Sequence, residues 1–539
     1  MCGILWHYKK AFEDRANQDA TSSGLEDPIF DEMASFVLER GGDSSNRFTK
    51  TIKNGIIKGF SSVLSIRAPL TVQPMVKDNF VLQYNGELYN QQIKHNDLQY
   101  IQEILVQSNF DIETTIAQLD GEFAYCITNT DSGKVYFGKD LLGRKSLGYM
   151  LENDQIYISS CPPPTDRDSW TECLCATIYV YDVKTGVLET VDFNTSSVLP
   201  IQFMVQETDQ DLDIIALHSK LAHAVRKRVT TISPPHPAHS NLALLFSGGL
   251  DCTLLAALAA KELGPGASID LLNVSFNNPR SNTLPANTPD RLLAHKSWIG
   301  LKEKYPEVNF ELVEVDVPYE EYLEHRSKVI QLIYPNDTEM DLSIAIAFYF
   351  AARGSGQKVG HDGVRIPYES TCKVLLSGLG ADELFGGYTR HERIFTGISN
   401  QLKRKISGKP QKDTTEYDWD ELMSSLKEEL QLDLSNLHTR NLSRDDKVIS
   451  CWSKEVRYPF LDDEFVGYAT TEVKLEDKLQ MDRFTGEIIR KFALRKLAQH
   501  LELDFVENEP KRAIQFGSRS AKMDPGAGKI KGTDHIDVK

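Results

Sequence analysis

The feature that most constrains the fold is a change of pattern near the middle of the chain, from a buried apolar run to a turn of small residues and then to a helix. Ala243-Leu244-Leu245-Phe246 is followed directly by Ser247-Gly248-Gly249-Leu250-Asp251, after which the pattern from Cys252 to Leu263 is helical. Free backbone N–H groups at the start of a helix that follows glycines favour an anion. The order is that of a strand–loop–helix unit in a parallel sheet.

The alternation of strand and helix continues along the second part of the chain. Strands are predicted over 242–246, 269–276, 309–315 and 373–376, and helices over 211–228, 252–263, 291–304 and 342–353. Repeated alternation predicts an α/β domain with a parallel sheet and helices on both of its faces.

The loop at 247–251 carries the groups that phosphate binding requires. Its glycines let the backbone approach a ligand, Ser247 adds a hydroxyl donor, and Asp251 is placed to hold a Mg²⁺ ion that bridges phosphate oxygens. The Gly-Lys-[Ser/Thr] ending of a Walker loop is absent. A purely structural turn is the alternative, but the full strand, Ser-Gly-Gly-x-Asp and helix combination favours phosphate binding.

A second loop repeats this pattern. Val374-Leu375-Leu376 leads into Ser377-Gly378-Leu379-Gly380-Ala381-Asp382, and Asp382 is a natural partner for Asp251 on one Mg²⁺ ion. Lys511 and Arg512, near the end of the chain, offer two cations that could neutralise charge on pyrophosphate. For these two residues the alternative is a solvated charged loop.

The first part of the chain, to about residue 190, is rich in predicted strands. Apolar runs at 80–84, 122–127, 135–138, 155–158 and 176–183 are separated by turn residues such as Asp131-Ser132-Gly133. Several short strands with few helices predict packed sheets.

A cysteine stands at the second position of the chain. If the initiator methionine is removed, Cys2 carries a free α-amino group beside its thiol, so that the nucleophile and its general base come from one residue. A chance Met-Cys start is the alternative reading of this feature alone.

Composition excludes some classes of partner. A formal charge of −17 argues against nucleic acid, because neutralising phosphates requires clustered Lys and Arg. The longest apolar run, 342–352, is too short to span a membrane, and no signal peptide is evident. The eight cysteines are sparse for 539 residues, and we expect reduced thiols in a cytoplasmic protein.

Several motifs resemble those of the asparagine synthetase family, which joins a class II glutamine amidotransferase to a PP-loop synthetase. Met1-Cys2-Gly3-Ile4 and Asn85-Gly86-Glu87-Leu88-Tyr89-Asn90 resemble the glutaminase half, and Ser247 to Asp251, Ser377 to Tyr388 and Arg457 to Asp462 resemble the synthetase half. The motifs occur in the family's order over nearly the whole chain.

The resemblance implies a fold and a division into domains. It implies an N-terminal α+β sandwich of the Ntn-hydrolase type (αββα) over 2–191 and an α/β PP-loop ATP pyrophosphatase domain over 213–523. Between them we expect a linker at 192–212, and after them a disordered tail at 524–539.

The resemblance also implies roles in glutamine hydrolysis. Cys2 would be the nucleophile, while the Asn85 side chain and the Gly86 N–H would form the oxyanion hole. Glu87 and Asp97 would hold the α-amino group of glutamine. Arg67 would hold the α-carboxylate, although a gapless alignment would put Val63 at that position.

For the second half, the resemblance implies activation of aspartate as β-aspartyl-AMP by ATP, with ammonia from glutamine then displacing AMP. Asp251 and Asp382 would hold Mg²⁺. The residues expected to contact ATP are Phe246, Ser247, Gly248, Gly249, Asp251, Val274, Phe276, Ser377, Gly378 and Lys511.

Three departures from the family pattern fall in the synthetase half. Leu379 replaces a glutamate, and Thr338-Glu339-Met340-Asp341 replaces a Thr-Thr-x-Arg segment, so acids stand where threonine and arginine would meet ATP. Cys252 replaces a serine. These departures leave three hypotheses: a glutamine- and ATP-dependent asparagine synthetase, the same chemistry on another carboxylate, or a catalytically weakened homologue that serves as a binding or scaffold protein.

Overall fold

The computed structural model describes most of the chain. The described residues are 2–10, 27–52, 54–77, 79–152, 154–165, 168–192, 201–204, 211–233, 240, 242–360, 363–407, 417–526, 528 and 531–536. Met1 and most of the expected linker at 192–212 lie outside these ranges.

Seventeen α-helices are present within the described residues. They are α1 Pro28–Leu38, α2 Asp97–Gln107, α3 Ile112–Ile116, α4 Ile214–Thr230, α5 Leu250–Leu263, α6 Pro289–Lys304, α7 Tyr319–Ile333, α8 Glu339–Arg353, α9 Ala381–Phe385, α10 Thr389–Ile394, α11 Thr396–Ile406, α12 Trp419–Ser435, α13 Ser443–Ser450, α14 Asp463–Thr471, α15 Leu475–Lys478, α16 Phe492–His500 and α17 Ile514–Gly517. Among these helices, none combines the length and the apolar character needed to cross a membrane.

Strands make up four sheets of the described chain. They are β1 Cys2–Lys10, β2 Ser44–Ile52, β3 Gly55–Val63, β4 Met75–Lys77, β5 Phe80–Leu88, β6 Gly121–Asn129, β7 Lys134–Lys139, β8 Gly148–Glu152, β9 Gln155–Ser159, β10 Trp170–Glu172, β11 Thr177–Asp182, β12 Val187–Asp192, β13 Leu242–Leu245, β14 Ser268–Phe276, β15 Asn309–Val317, β16 Ser355–Val359, β17 Arg365–Glu369, β18 Val374–Leu376, β19 Glu455–Arg457, β20 Leu479–Met481 and β21 Ile488–Arg490.

The N-terminal half is a four-layer sandwich. Two six-stranded sheets, β10-β8-β9-β1-β3-β2 and β12-β11-β7-β6-β5-β4, pack face to face. Helix α1 covers the outer face of the first sheet, and α2 and α3 cover that of the second. Strand β6 lies between two buried layers, which explains its apolar run from Phe123 to Ile127: Cys126 faces the first sheet, whereas Tyr125 and Ile127 face the helices. The expected αββα arrangement is confirmed.

The C-terminal half contains a seven-stranded sheet in the order β17-β16-β15-β14-β13-β18-β19. The five neighbouring strands β15, β14, β13, β18 and β19 are parallel. Strands β16 and β17 extend the β15 edge in the antiparallel sense. Because β13 and β18 pair in parallel, the two loops expected to bind phosphate leave the sheet side by side. The expected parallel α/β domain is confirmed, while the antiparallel extension was not anticipated.

The two halves are joined by buried ion pairs. In each pair an arginine that is almost fully buried meets an acid from the other half of the chain. The pairs and their shortest N–O distances are Arg40–Asp446 at 2.8 Å, Arg144–Asp463 at 3.0 Å, Arg228–Glu122 at 2.8 Å and Arg457–Glu87 at 3.1 Å. Burying charge is costly unless it is paired, so these contacts fix how the halves sit on each other.

The structure corrects the expectation of a disordered tail for residues 531–536. The backbone N–H groups of Glu339 and Met340 donate to the carbonyl oxygens of Asp534 and Gly532 at 2.9 Å each, and Ile536 is buried. The first N–H groups of a helix lack partners within the helix, and here the tail supplies partners for α8.

We predict that the interface depends on both partners of each pair. Arg228→Met leaves Glu122 buried without its arginine and should lower the free energy of unfolding by about 3–5 kcal/mol. Arg226 lies on the same helix but is 59% exposed and pairs with Glu262 at the surface, so Arg226→Met should cost less than about 1 kcal/mol. Denaturant unfolding of both variants measures the difference, and equal losses would contradict the assignment.

Candidate active sites

Cys2 begins β1 at the centre of the first sheet, between β3 and β9. Its backbone nitrogen lies 2.9 Å from Asn85 Oδ1, and its sulfur lies 3.1 Å from Gln73 Nε2. The amide of Gln73 is held in this orientation because its oxygen accepts a hydrogen bond from the Tyr84 N–H at 2.7 Å. Cys2 is therefore fixed at both its nitrogen and its sulfur.

The environment of Cys2 keeps the thiol protonated. Burial raises the pKa of the Cys2 thiol above its ordinary value, against the effect of the nearby N-terminal charge. A thiol in this state needs a neighbouring base to become a nucleophile. The α-amino group proposed for this role belongs to the same residue.

Asn85 presents an unused donor at this site. While Asn85 Oδ1 accepts from Cys2, the Nδ2 group is buried and has no hydrogen-bond partner among the described residues. Gly86 follows with φ of +147°, and a Cβ there would lie 2.1 Å from the carbonyl oxygen of Glu122 across the sheet. Only glycine fits this position. An unpaired buried donor beside a nucleophile has the character of an oxyanion-hole group.

The residues expected to hold glutamine form one cluster. Arg67 Nη2 lies 2.5 Å from Glu87 Oε1, and Arg67 Nη1 lies 3.0 Å from Asp97 Oδ1. Burial, together with the charge of Glu87, raises the pKa of Asp97. Val63, the alternative to Arg67, pairs with Cys2 in the β1–β3 register and carries no charge. Arg67 thus remains our prediction for the carboxylate partner.

A cavity of about 650 Å³ opens at the carboxyl ends of β13, β14 and β18. It brings together nine residues that the sequence predicted for nucleotide or metal binding: Phe246, Ser247, Gly249, Asp251, Val274, Ser377, Gly378, Asp382 and Lys511. Its size and position suit a nucleotide at the switch point of a parallel sheet.

Two residues predicted to contact the nucleotide do not line this cavity. Phe276 is fully buried and meets Phe350 edge-on, with ring centroids 5.9 Å apart. Gly248, with φ of +77°, lets the loop pack against α6, because a Cβ there would lie 2.5 Å from the Ala294 nitrogen. Phe276 therefore packs in the core beneath the cavity, and Gly248 packs the loop against α6.

The two acids expected to bind Mg²⁺ share a lysine that the sequence analysis missed. Lys491 Nζ lies 2.6 Å from Asp251 Oδ2 and 2.7 Å from Asp382 Oδ1, and Lys511 Nζ lies 2.5 Å from Asp382 Oδ2. Burial opposes ionisation of Asp382, but the charges of Lys491 and Lys511 outweigh it and lower its pKa. Lys491 directly follows the β20–β21 hairpin, which is distant in sequence from both acids, and it belongs to no motif that the sequence analysis recognised.

The carboxylate oxygens of Asp251 and Asp382 are ligands that suit a hard cation, one that phosphate oxygens would also bind. Asp251 Oδ1 is buried and has no hydrogen-bond partner among the described residues. No group of three or more metal-ligating side chains occurs in the described part of the chain. Mg²⁺ bound through one or two carboxylates takes its remaining ligands from phosphate and water, so the pair Asp251 and Asp382 is sufficient.

Asp341, at the position where the resemblance implied an arginine, is neutralised by another helix. Asp341 Oδ1 lies 3.0 Å from Arg444 Nη1 of α13, and its Oδ2 accepts from the Thr338 hydroxyl at 2.5 Å. Arg444 also pairs with Asp445 at 2.8 Å. All four residues line the cavity, as does Leu379. The charge exchange is therefore compensated locally.

Comparisons with known proteins agree with this arrangement. The asparagine synthase family profile matches residues 216–529, and a glutamine amidotransferase domain profile matches residues 62–164. An asparagine synthetase domain-containing protein of Saccharomyces cerevisiae is 40% identical over 562 residues, covering 99% of this chain and 98% of its own. Asparagine synthetase domain-containing protein 1 of Bos taurus is 27% identical, covering 90% of this chain and 92% of its own.

Among solved structures, the glutamine phosphoribosylpyrophosphate amidotransferase of B. subtilis matches 50% of this chain and 66% of its own chain. The sequence identity is 14% and the TM-score is 0.28.

We predict that Lys491 competes with Mg²⁺ for the two acids. Lys491→Met removes the cation between Asp251 and Asp382, so the variant should unfold at a lower temperature in EDTA because two close carboxylates repel each other. Millimolar Mg²⁺ should raise its unfolding temperature more than it raises that of the wild type. Lys496→Met, on α16 in contact with Phe492, is the control. A variant whose response to Mg²⁺ equals that of the wild type would contradict this role.

Proposed function

Because the chain belongs to the asparagine synthase family, we propose that it is a glutamine-dependent amidotransferase. Cys2 hydrolyses glutamine to glutamate and ammonia, and the second domain uses ATP to activate a carboxylate that the ammonia then amidates. The observation that carries the proposal is the geometry at Cys2, a buried cysteine whose nitrogen bonds to Asn85 Oδ1 while the Nδ2 donor of the same amide is left without a partner among the described residues.

Glutamine hydrolysis at this site follows from the proposed roles. Once Met1 is removed, the α-amino group of Cys2 takes the thiol proton and the sulfur attacks the side-chain carbonyl carbon of glutamine. Asn85 Nδ2 and the Gly86 N–H stabilise the negative charge that develops on the oxygen. The protonated amine then gives its proton to the departing ammonia, and water hydrolyses the thioester.

Glutamine is held by charge complementarity in this proposal. Glu87 and Asp97 accept from its α-ammonium group, and Arg67 donates to its α-carboxylate. Arg67 already lies within ion-pair distance of both Glu87 and Asp97, which supports a site for a ligand that carries both charges.

In the second domain, ATP supplies the energy to activate a carboxylate, with AMP and pyrophosphate as products. Ser247 and Gly249 present donors at the start of α5, where anions are favoured. Lys491 and Lys511 offset phosphate charge, and Asp251 and Asp382 hold Mg²⁺. The sparse, unpaired cysteines suit action in the cytoplasm.

Aspartate, giving asparagine, is the acceptor that the family suggests. A second candidate is the same chemistry on a different carboxylate. It is favoured by one observation: Leu379 and the Asp341–Arg444 pair line the cavity in place of the glutamate and arginine of the family pattern.

We predict that purified protein with glutamine, aspartate, ATP and Mg²⁺ forms glutamate, AMP and asparagine in equal amounts, measured by mass spectrometry. Cys2→Ala should abolish glutamate formation yet keep AMP formation when ammonium replaces glutamine. Cys175→Ala, at a partly exposed cysteine outside both sites, is the control. Glutamate without AMP or asparagine would exclude aspartate as acceptor, and no turnover of glutamine would exclude the proposal.

We also predict that Asn85→Asp lowers the rate of glutamine hydrolysis by roughly 100- to 1,000-fold, the usual loss for one oxyanion-hole donor. The substitution keeps an acceptor for the Cys2 nitrogen but replaces the free Nδ2 donor with an oxygen. The loss should fall on kcat rather than KM, because the interaction strengthens in the transition state. A change confined to KM would assign Asn85 to substrate binding alone.

A further inference from the structure

A carboxylate that the mechanism does not use lies on the wall of the cavity. Asp290 stands in the first turn of α6, is only 3% exposed and lines the cavity. Its Oδ2 is buried and has no hydrogen-bond partner among the described residues. A buried acceptor without a donor is unfavourable, so the site requires a donor from elsewhere.

The fold makes room for this carboxylate. Gly517 ends α17, and a Cβ at that position would lie 2.0 Å from both carboxylate oxygens of Asp290. Gln515 of the same helix is 6% exposed, lines the cavity and has a side-chain oxygen that also lacks a partner among the described residues. Two helices therefore each bring an unpaired acceptor to one cavity.

A structural role as a helix N-terminal acid does not account for the site. The helix N-terminus favours a negative charge, but the N-cap bond of α6 is made by Thr288 to the Arg291 N–H. Within the described part of the chain neither nearby cation forms an ion pair with Asp290: Lys511 pairs with Asp382, and Arg512 acts on Asp290 only from a longer distance. Burial raises the pKa of Asp290 to about 7 although Arg512 and Lys511 oppose the rise.

The position of Asp290 indicates which part of a bound nucleotide would contact its carboxylate. Asn273 Nδ2 donates to the backbone oxygens of both Phe246 and Asp290, at 2.8 and 3.3 Å. The Asp290 backbone therefore lies beside the ends of β13 and β14, where Phe246 and Val274 are expected to contact ATP and, being apolar, suit its adenosine rather than its phosphates. A carboxylate repels phosphate but accepts from neutral O–H and N–H groups.

We propose that Asp290 recognises the nucleoside of ATP by accepting a hydrogen bond from one of its neutral donors, a ribose hydroxyl or the adenine amino group. The inference rests on the proposed use of ATP and extends it to nucleotide specificity. Gln515, two residues before the glycine that packs against Asp290, offers a second unpaired acceptor in the same cavity.

The test is equilibrium binding of ATP, 2′-deoxy-ATP, 3′-deoxy-ATP and purine riboside triphosphate, each with Mg²⁺, to the wild type and Asp290→Ala. A hydrogen bond to a charged group predicts that one analogue binds the wild type roughly 10- to 100-fold more weakly than ATP. Asp290→Ala should bind ATP as weakly as that analogue and show no further loss with it. The analogue affected identifies the donor.

Gly517→Ala is a second variant that keeps the carboxylate but displaces it. Alanine can adopt the helical backbone of Gly517, so the variant should fold. It should weaken the binding of ATP in the same way as Asp290→Ala does. Without nucleotide, Asp290→Ala should unfold at the wild-type temperature or above, because the Oδ2 atom that it removes is buried without a hydrogen-bond partner among the described residues.

Two results would overturn the assignment while leaving the proposed function intact. One is an Asp290→Ala variant that binds ATP and all three analogues with wild-type affinities. The other is a variant that loses thermal stability without nucleotide and shows the same preference among the analogues as the wild type, which would make the role structural. A wild type that binds none of the four nucleotides would instead overturn the proposed use of ATP, and the assignment with it.

Discussion

The buried ion pair between Arg457 and Glu87 connects the two halves of the molecule at the point where both sites meet. The Arg457 side chain reaches Glu87, one of the residues expected to hold glutamine. The Arg457 backbone oxygen accepts a hydrogen bond at 3.0 Å from the N–H of Ser377, in the second loop expected to bind phosphate. Glu455, two residues earlier, pairs with the same guanidinium at 2.7 Å. A buried arginine with acids on both sides is stable only while all three charges remain in place. One residue of β19 therefore sets the position of side chains in one domain and of a loop in the other.

Other arginines extend this constraint over the interface. Arg144 bonds to Asp140 and to the Leu461 carbonyl, and Arg228 bonds to both Glu122 and Asp462. Burial opposes the ionisation of Asp462, yet Arg228 and Lys227 lower its pKa to about 2, so the pairing dominates. Apolar packing would tolerate sliding of one half on the other, whereas directional hydrogen bonds do not. The proposed function requires such a fixed relation, because ammonia released at Cys2 would have to reach the second site.

Local pattern in the sequence predicted packed sheets in the first half and a parallel α/β domain in the second, whereas the αββα layers were implied by the family resemblance. Strand β6 and helix α5 follow from apolar periodicity, and the loop at 247–251 follows from its motif. The sequence did not predict Lys491 or the burial of Arg228, whose partners lie 240 and 106 residues away. Phe276 was assigned to the nucleotide with Val274, but the strand continues past the cavity into the core.

The charge exchange at Asp341 shows how a cavity can change while its fold does not. An acid beside a polyanion would oppose binding. Here Arg444 of α13 meets Asp341 at 3.0 Å and Asp445 at 2.8 Å, so this guanidinium is shared between two carboxylates. The Arg444 charge is thereby neutralised within the protein. The cations that contact Asp251 and Asp382 are instead Lys491 and Lys511. Under the proposed function, the acceptor must match the shape and charge of a cavity whose lining includes Leu379 and this neutralised pair.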